Sequence, residues 1–87
     1  MATVFIPALL RKLTGGRESI GVSGRTVSQI IDDIERQFPG FRRQVVENGE
    51  LKPSIAVSID GEIAAGGLLD PVGESSEVHF IPALGGG

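Results

Sequence analysis

The stretch Thr26-Val27-Ser28-Gln29-Ile30-Ile31-Asp32-Asp33-Ile34-Glu35-Arg36-Gln37-Phe38 carries the clearest helical periodicity in this 87-residue chain. Val27, Ile30, Ile31, Ile34 and Phe38 recur at the spacing that lines one side of a helix, while Asp32, Asp33, Glu35 and Arg36 fall on the other. Thr26 with Gln29 three residues on forms a capping-box pattern, and Pro39-Gly40 closes the segment. One amphipathic helix needs a surface to cover its apolar stripe, and the flanking segments read as strands that can supply it.

On the N-terminal side, Thr3 to Ile6 is short, β-branched and aromatic, and ends at Pro7, which has no N–H to give a ladder. Ala8 to Thr14 reads as a brief helical turn before Gly15-Gly16. Arg17 to Val22 then places Ile20 and Val22 on one face and Ser19 and Gly21 on the other, a second strand antiparallel to the first.

Beyond the helix, Phe41 to Val46 reads as a short helical turn with Phe41, Val45 and Val46 turned to the core, and Asn48-Gly49 as a turn. Ser54 to Ile59 alternates Ile55, Val57 and Ile59, and Asp60-Gly61 tolerates the positive φ of a tight hairpin into Glu62-Ile63. Ala64 to Ser76 is irregular, with Leu68, Leu69 and Val72 as apolar plugs. Glu77 to Ile81 is a last strand with Val78 and Phe80 on one face. The order ββ, helix, ββ, irregular segment, β predicts an α+β fold, a mixed sheet of four to five strands packed on one main helix.

Length and composition narrow the function. Eighty-seven residues suit one domain that buries roughly 60–65% of the surface exposed by its unfolded chain. With no cysteine, disulfides, thiolate catalysis and cysteine-based metal sites are excluded together. The net charge of −3 and the scatter of eight basic residues, clustered only at Arg11-Lys12 and Arg42-Arg43, argue against nucleic-acid binding. The run Val4-Phe5-Ile6 is too short for a signal peptide and no apolar run approaches a membrane span, so a soluble cytoplasmic protein is expected.

The end of the chain, Pro82-Ala83-Leu84-Gly85-Gly86-Gly87, stands out. By composition alone, three terminal glycines are as readily a frayed end or a cloning remnant as a functional feature. Their placement favours chemistry: no polar linker separates them from the last strand, and a Gly-Gly terminus threads a channel that any side chain would block. A carboxylate at Gly87 is a poor electrophile until activated with ATP. The chain has no G-x-x-x-x-G-K-[ST] loop, so it would be the substrate of that activation and not its catalyst.

From strand one through the helix and the Asp60-Gly61 hairpin to Glu77-Val78-His79-Phe80-Ile81-Pro82 and Gly86-Gly87, the whole chain resembles the ubiquitin-like sulfur carriers of the MoaD/ThiS superfamily. That superfamily includes the molybdopterin synthase small subunit, the thiamine-pathway carrier and the carrier that feeds cysteine synthesis. Ile6-Pro7, Leu10-Arg11, Thr14-Gly15-Gly16 and Glu18-Ser19 look most like the cysteine-forming branch, while the ending is shared with the molybdopterin branch. Two places depart from the pattern: Gly73-Glu74-Ser75-Ser76-Glu77, where many relatives have Gly-Asp-Glu or Gly-Asp-Ser, and Gly85, where Ala is common.

The resemblance implies a β-grasp domain over residues 1–82 and a flexible Gly-Gly tail over 83–87. It implies that an E1-like adenylating enzyme of the MoeB/ThiF type activates Gly87, that a sulfur donor converts the adenylate to a thiocarboxylate, and that an acceptor synthase takes the sulfur. A JAMM-type metalloprotease is a further implied partner. Gly86 provides clearance, and Gly85, Leu84, Ala83 and Pro82 with the exposed sheet face dock partners. The chain is then a carrier without a catalytic residue, metal or cofactor of its own.

Other residues weigh less. His79, the sole histidine, should point outward from a strand that turns Val78 and Phe80 inward, and one histidine does not build a metal site. Asp32, Asp33 and Glu35 read as a solvated face, and Gly15-Gly16 and Gly66-Gly67 as turns without the spacing of a phosphate loop. Arg11-Lys12 and Arg42-Arg43 could meet an acidic partner. Two other functions stay open on the residues: a ubiquitin-type modifier that forms isopeptide bonds through the same tail, and an interaction domain whose tail is inert.

Overall fold

In the computed structural model, which describes residues 1–82, the stripe on Thr26–Phe38 folds as α1 (Val27–Gln37). Val27, Ile30, Ile31 and Ile34 are buried on it. Thr26 Oγ1 accepts the Gln29 N–H at 3.2 Å, as the capping pattern requires, but Gln29 Oε1 reaches one residue further back, to the Arg25 N–H at 2.7 Å. The cap is anchored from outside the helix, with Val27 N–H donated to the Asp70 carbonyl and Val72 N–H to that of Arg25.

The strands β1 (Ala2–Phe5), β2 (Ser19–Val22), β5 (Ile55–Ile59), β6 (Glu62–Ile63) and β7 (Glu77–Pro82) form one mixed sheet in the order β2-β1-β7-β5-β6. β1 runs antiparallel to β2 and parallel to β7, with Phe5 opposite His79. β7 runs antiparallel to β5, with Val57 opposite Phe80 and Ile55 opposite Pro82. Ala8–Thr14 is a 3₁₀ helix. Val4, Val57, Val78 and Phe80 on the inner sheet face meet the α1 stripe in one core. From α2 (Phe41–Val45), Phe41 sets its ring edge-to-face on Phe80 at 5.6 Å.

Three expectations need adjustment. Asn48-Gly49 is a turn as expected, but it is the tip of an unexpected two-stranded hairpin, β3 (Val46–Glu47) with β4 (Glu50–Leu51), which takes Val46 out of the helical turn. Its two-residue ladder is too short to leave an alternation in sequence. Leu69 is not a plug: it is 83% exposed on the 3₁₀ turn Gly67–Leu69, whereas Val72 is buried and Leu68 packs half-buried against the core. Two adjacent leucines on a tight turn cannot both face one way. The acidic face of α1 is only partly exposed, with the Asp33 side chain 15% accessible, and it does more than meet solvent. Asp33 accepts the Ser23 N–H at 3.0 Å and pairs with Arg36 at 2.8 Å. Glu35 accepts the N–H groups of Gly40 and Arg42, opening α2, and Asp32 pairs with Arg42 at 2.7 Å.

Gly24 turns the chain from β2 into α1 at φ +145°, and a Cβ there would lie 2.9 Å from both the Gln29 Cβ and the Ile30 nitrogen. The neighbours are helix backbone and the root of a side chain, which have no room to give. Gly24→Ala is expected to destabilise the fold by about 1–3 kcal/mol, read as a lower midpoint in urea denaturation.

At the Asp60-Gly61 turn both residues have positive φ, 51° and 89°, the geometry of a type I′ hairpin. Asp60 also acts at a distance. Its carboxylate accepts the Glu77 N–H at 2.9 Å and the Ser76 hydroxyl at 2.8 Å, pinning the start of β7. Those two donors, the Glu77 amide first, hold the Asp60 carboxyl below its ordinary range. A carboxyl lowered by folding stabilises above its unfolded pKa and loses that contribution as pH falls through the folded one. Asp60→Asn, which keeps the shape and the tolerance of positive φ, is therefore expected to lower the melting temperature at pH 7. The gap from wild type should close as both are acidified below the ordinary aspartate range, read by thermal melts across pH.

Candidate functional site

β7 takes its shape from alternation. Val78 and Phe80 point into the core, so Glu77, His79 and Ile81 must stand on the opposite, helix-free face. The same parity puts Phe5 of β1 and Ser58 of β5 beside His79. The Phe5 and His79 rings stack almost flat, 4.5 Å apart and 10° from parallel. His79 Nε2 lies 3.6 Å from the Glu77 carboxylate. On the same face Ile81 is 38% exposed and Ile63 is 63% exposed, so an apolar strip crosses the sheet uncovered.

The Phe5–His79 part of that strip floors an open groove of about 810 Å³ between Pro7 and Arg11 on one side and Asp60 and Gly61 on the other, with Ile81 and Pro82 in its wall. Arg11 is held in place by donating from Nε to the Ile6 carbonyl at 3.0 Å, and its guanidinium lies 3.9 Å from Glu18. Three carboxylates, Glu18, Asp60 and Glu77, line the groove against that one guanidinium. Among the described residues no group of His, Cys, Asp and Glu side chains gathers as metal ligands do, and no helix is long and apolar enough to cross a membrane.

The site residues expected from the sequence divide at Pro82. Pro82 ends β7, exposed, paired with Ile55 on the sheet. Ala83, Leu84, Gly85, Gly86 and Gly87 lie outside the described residues. The segment that feeds them is held by β1 through His79 and by β5 through Pro82, so the chain leaves the domain from an interior strand. His79 faces outward as its alternation requires. Sequence reasoning missed Phe5 as its partner, although the same parity in Val4-Phe5-Ile6 turns Phe5 out; that it lies beside His79 depends on a parallel pairing of strands from opposite ends of the chain.

Comparison with known proteins agrees with this architecture. The sulfur carrier protein CysO of Mycobacterium tuberculosis is 31% identical over 90 residues, covering 98% of this chain and 97% of that protein. The crystal structure of the Amycolatopsis orientalis BexX/CysO complex contains a chain that matches with a TM-score of 0.93 and 36% identity, each chain covered in full. The small archaeal modifier protein 1 of Haloferax volcanii matches at a TM-score of 0.75 and 27% identity, covering 95% of this chain and 97% of that one. The fold is therefore the β-grasp of these carriers. The ThiS family profile matches residues 4–87, and the chain belongs to the ThiS family.

Proposed function

We propose that this protein is a sulfur carrier whose Gly87 carboxylate is adenylated and then converted to a thiocarboxylate. The observation that supports this most is the exit of the chain: an interior strand ends in Ile81-Pro82 on an exposed sheet end, and Gly86-Gly87 follow within five residues of it. The full-length similarity to CysO supports the same reading.

The chemistry is that of the carboxylate. An E1-like enzyme of the MoeB/ThiF type lets a Gly87 oxygen attack the α-phosphorus of ATP and expel pyrophosphate. A sulfur nucleophile then attacks the acyl carbon, and AMP leaves with the original oxygen. The resulting terminal sulfur is the nucleophile handed to an acceptor synthase. A JAMM-type metalloprotease fits as the enzyme that frees the tail if the acceptor stays joined to it through a peptide bond. In none of these steps does a side chain of this protein act as acid, base or metal ligand.

Energetics explain why a whole domain accompanies the tail. Ordering residues 83–87 in an enzyme channel costs about 1–2 kcal/mol per residue, and a tail of one alanine, one leucine and three glycines offers little surface to recover it. The domain must be gripped as well, with Pro82 to Gly85 as the path from grip to channel.

A second reading, a protein modifier that joins Gly87 to lysine amines, is supported by the small archaeal modifier protein 1 likeness. Both readings share the adenylate and differ in the nucleophile that resolves it.

Intact mass spectrometry after incubation with the cognate adenylating enzyme, ATP and sulfide is expected to show one oxygen replaced by sulfur. Accumulation of lysine conjugates with no thiocarboxylate would favour the modifier, and neither product would remove support for both. Deleting Gly86-Gly87 is expected to leave the melting temperature nearly unchanged, because among the described residues the buried core ends at Phe80, while sulfur transfer is abolished. A large loss of thermal stability on that deletion would contradict the separation of tail from core.

A further inference from the structure

We infer that this domain is electrically polarised along its strands, and that the polarity steers it tail-first onto an enzyme whose channel mouth is lined by carboxylates. The inference rests on the carrier reading, since it needs Gly87 to be taken up, and adds the chemistry of the surface that first meets the tail.

Strand register divides the charges between two ends. Pro82 closes β7 opposite Ile55, whose N–H is donated to the Lys52 carbonyl, and the Lys52 N–H is donated to the carbonyl of Val45 at the end of α2. β1 runs parallel to β7, so the 3₁₀ helix Ala8–Thr14 and Arg17 after it lie at this same end, where Arg11 and Pro82 line one groove. The C-terminal end of α1 arrives there too, since a Cβ at Gly15 would lie 3.9 Å from the Phe38 ring. Arg11, Lys12, Arg17, Arg43 and Lys52 therefore stand around the exit, with Glu18 as the one carboxylate among the described residues.

The opposite end has the opposite sign. Glu77 begins β7 beside Asp60, Glu62 follows the turn, Glu74 precedes the Ser76 carbonyl that accepts the Thr3 N–H, and the Asp70 carbonyl accepts the Val27 N–H at the start of α1. Among these five carboxylates Arg25 is the one cation. Between the ends Asp32 pairs with Arg42 and Asp33 with Arg36, which leaves Glu35, Glu47 and Glu50.

Screening makes the separation matter. The five steps along β7 set its ends about 17 Å apart, twice the Debye length of about 8 Å at physiological salt. An enzyme approaching the tail meets the cationic end with the anionic end largely screened, although the chain carries a net charge of −3. An acidic mouth turns the domain to present its tail, and a basic mouth turns it away.

The test follows association of the full-length protein with the E1-like enzyme of the same genome by stopped flow, ATP omitted, from about 0.05 to 0.5 M salt. The double reversal Lys12→Glu with Arg17→Glu is expected to slow association about tenfold at low salt, to leave dissociation nearly unchanged, and to match wild type at high salt. Glu62→Lys with Glu74→Lys changes the net charge equally in the other sense, at the far end, and is expected to leave the rate within about twofold. All four residues are exposed, so both variants should keep the wild-type melting temperature.

Unchanged or faster association of K12E/R17E, an equal response to the far-end reversal, or tighter binding to a random RNA oligomer than to the enzyme would each overturn the inference. ATP–pyrophosphate exchange separates it from the carrier reading. Steered association without exchange sinks the carrier and leaves the polarity. Exchange with the same half-saturation in wild type and K12E/R17E sinks the steering alone, and no association at any salt sinks both.

Discussion

The parallel pairing of β1 with β7 is the constraint on which the other features of the domain depend. It joins the two ends of the sequence, Thr3 to Phe5 against Glu77 to His79, and so places the last strand inside the sheet. A strand with neighbours on both sides must satisfy two ladders and bury its inner residues, and Val78 and Phe80 do so under α1 and Phe41. The loop-closure cost of so distant a pairing is offset by the inner residues that it buries against α1. Asp60 adds a local pin, tying the β5–β6 turn to the first amide of β7. A carrier whose product leaves through its C-terminus benefits from this arrangement, since pulling on the tail loads a central strand and not an edge.

The open edge of the sheet at β2 is managed by the same helix. Asp33 accepts the Ser23 N–H and Gln37 Nε2 reaches the Gly21 carbonyl at 3.4 Å, so α1 reaches over backbone groups that would otherwise invite another strand. Asp33 is held below its ordinary range first by the Ser23 amide and then by Arg36, and Glu35 first by the Arg42 amide and then by that of Gly40. The polar face of α1 thus positions its neighbours. The sheet face without a helix has no such internal task for Glu77, His79 and Ile81, which leaves them available to a partner.

Much of this was legible in the sequence because it is written in local periodicity and turn chemistry. The α1 stripe, the Ala8–Thr14 turn, the Ile20/Val22 and Val78/Phe80 alternations and the Asp60-Gly61 hairpin depend on neighbours within a few residues. The β3–β4 hairpin was too short to leave a pattern, and Leu69 was misplaced because hydrophobicity alone does not orient a side chain on an irregular turn. The Phe5–His79 stack, the Asp60 tie to Glu77 and the helix cover over β2 escaped for a different reason: each joins residues far apart in sequence, and only strand order brings them together.

Family likeness and physical reading meet at Pro82 from opposite directions. Likeness points to the C-terminal side of this proline, a glycine terminus with chemistry; the physical reading points to its N-terminal side, an interior strand bordered by an uncovered apolar groove. Neither is sufficient alone, because a reactive terminus without a grip leaves the ordering cost of the tail unmet, and a sticky face without a terminus is only an interface. Their adjacency sets a length relation. The five residues reach about 17 Å at most, so on the proposed function whatever takes up Gly87 would have to approach within that distance of Pro82. Lengthening the segment between Pro82 and Gly86 would weaken that coupling by adding conformations without adding contacts. On the proposed function the short run from Pro82 to the glycines is thus as much a part of the site as the glycines themselves.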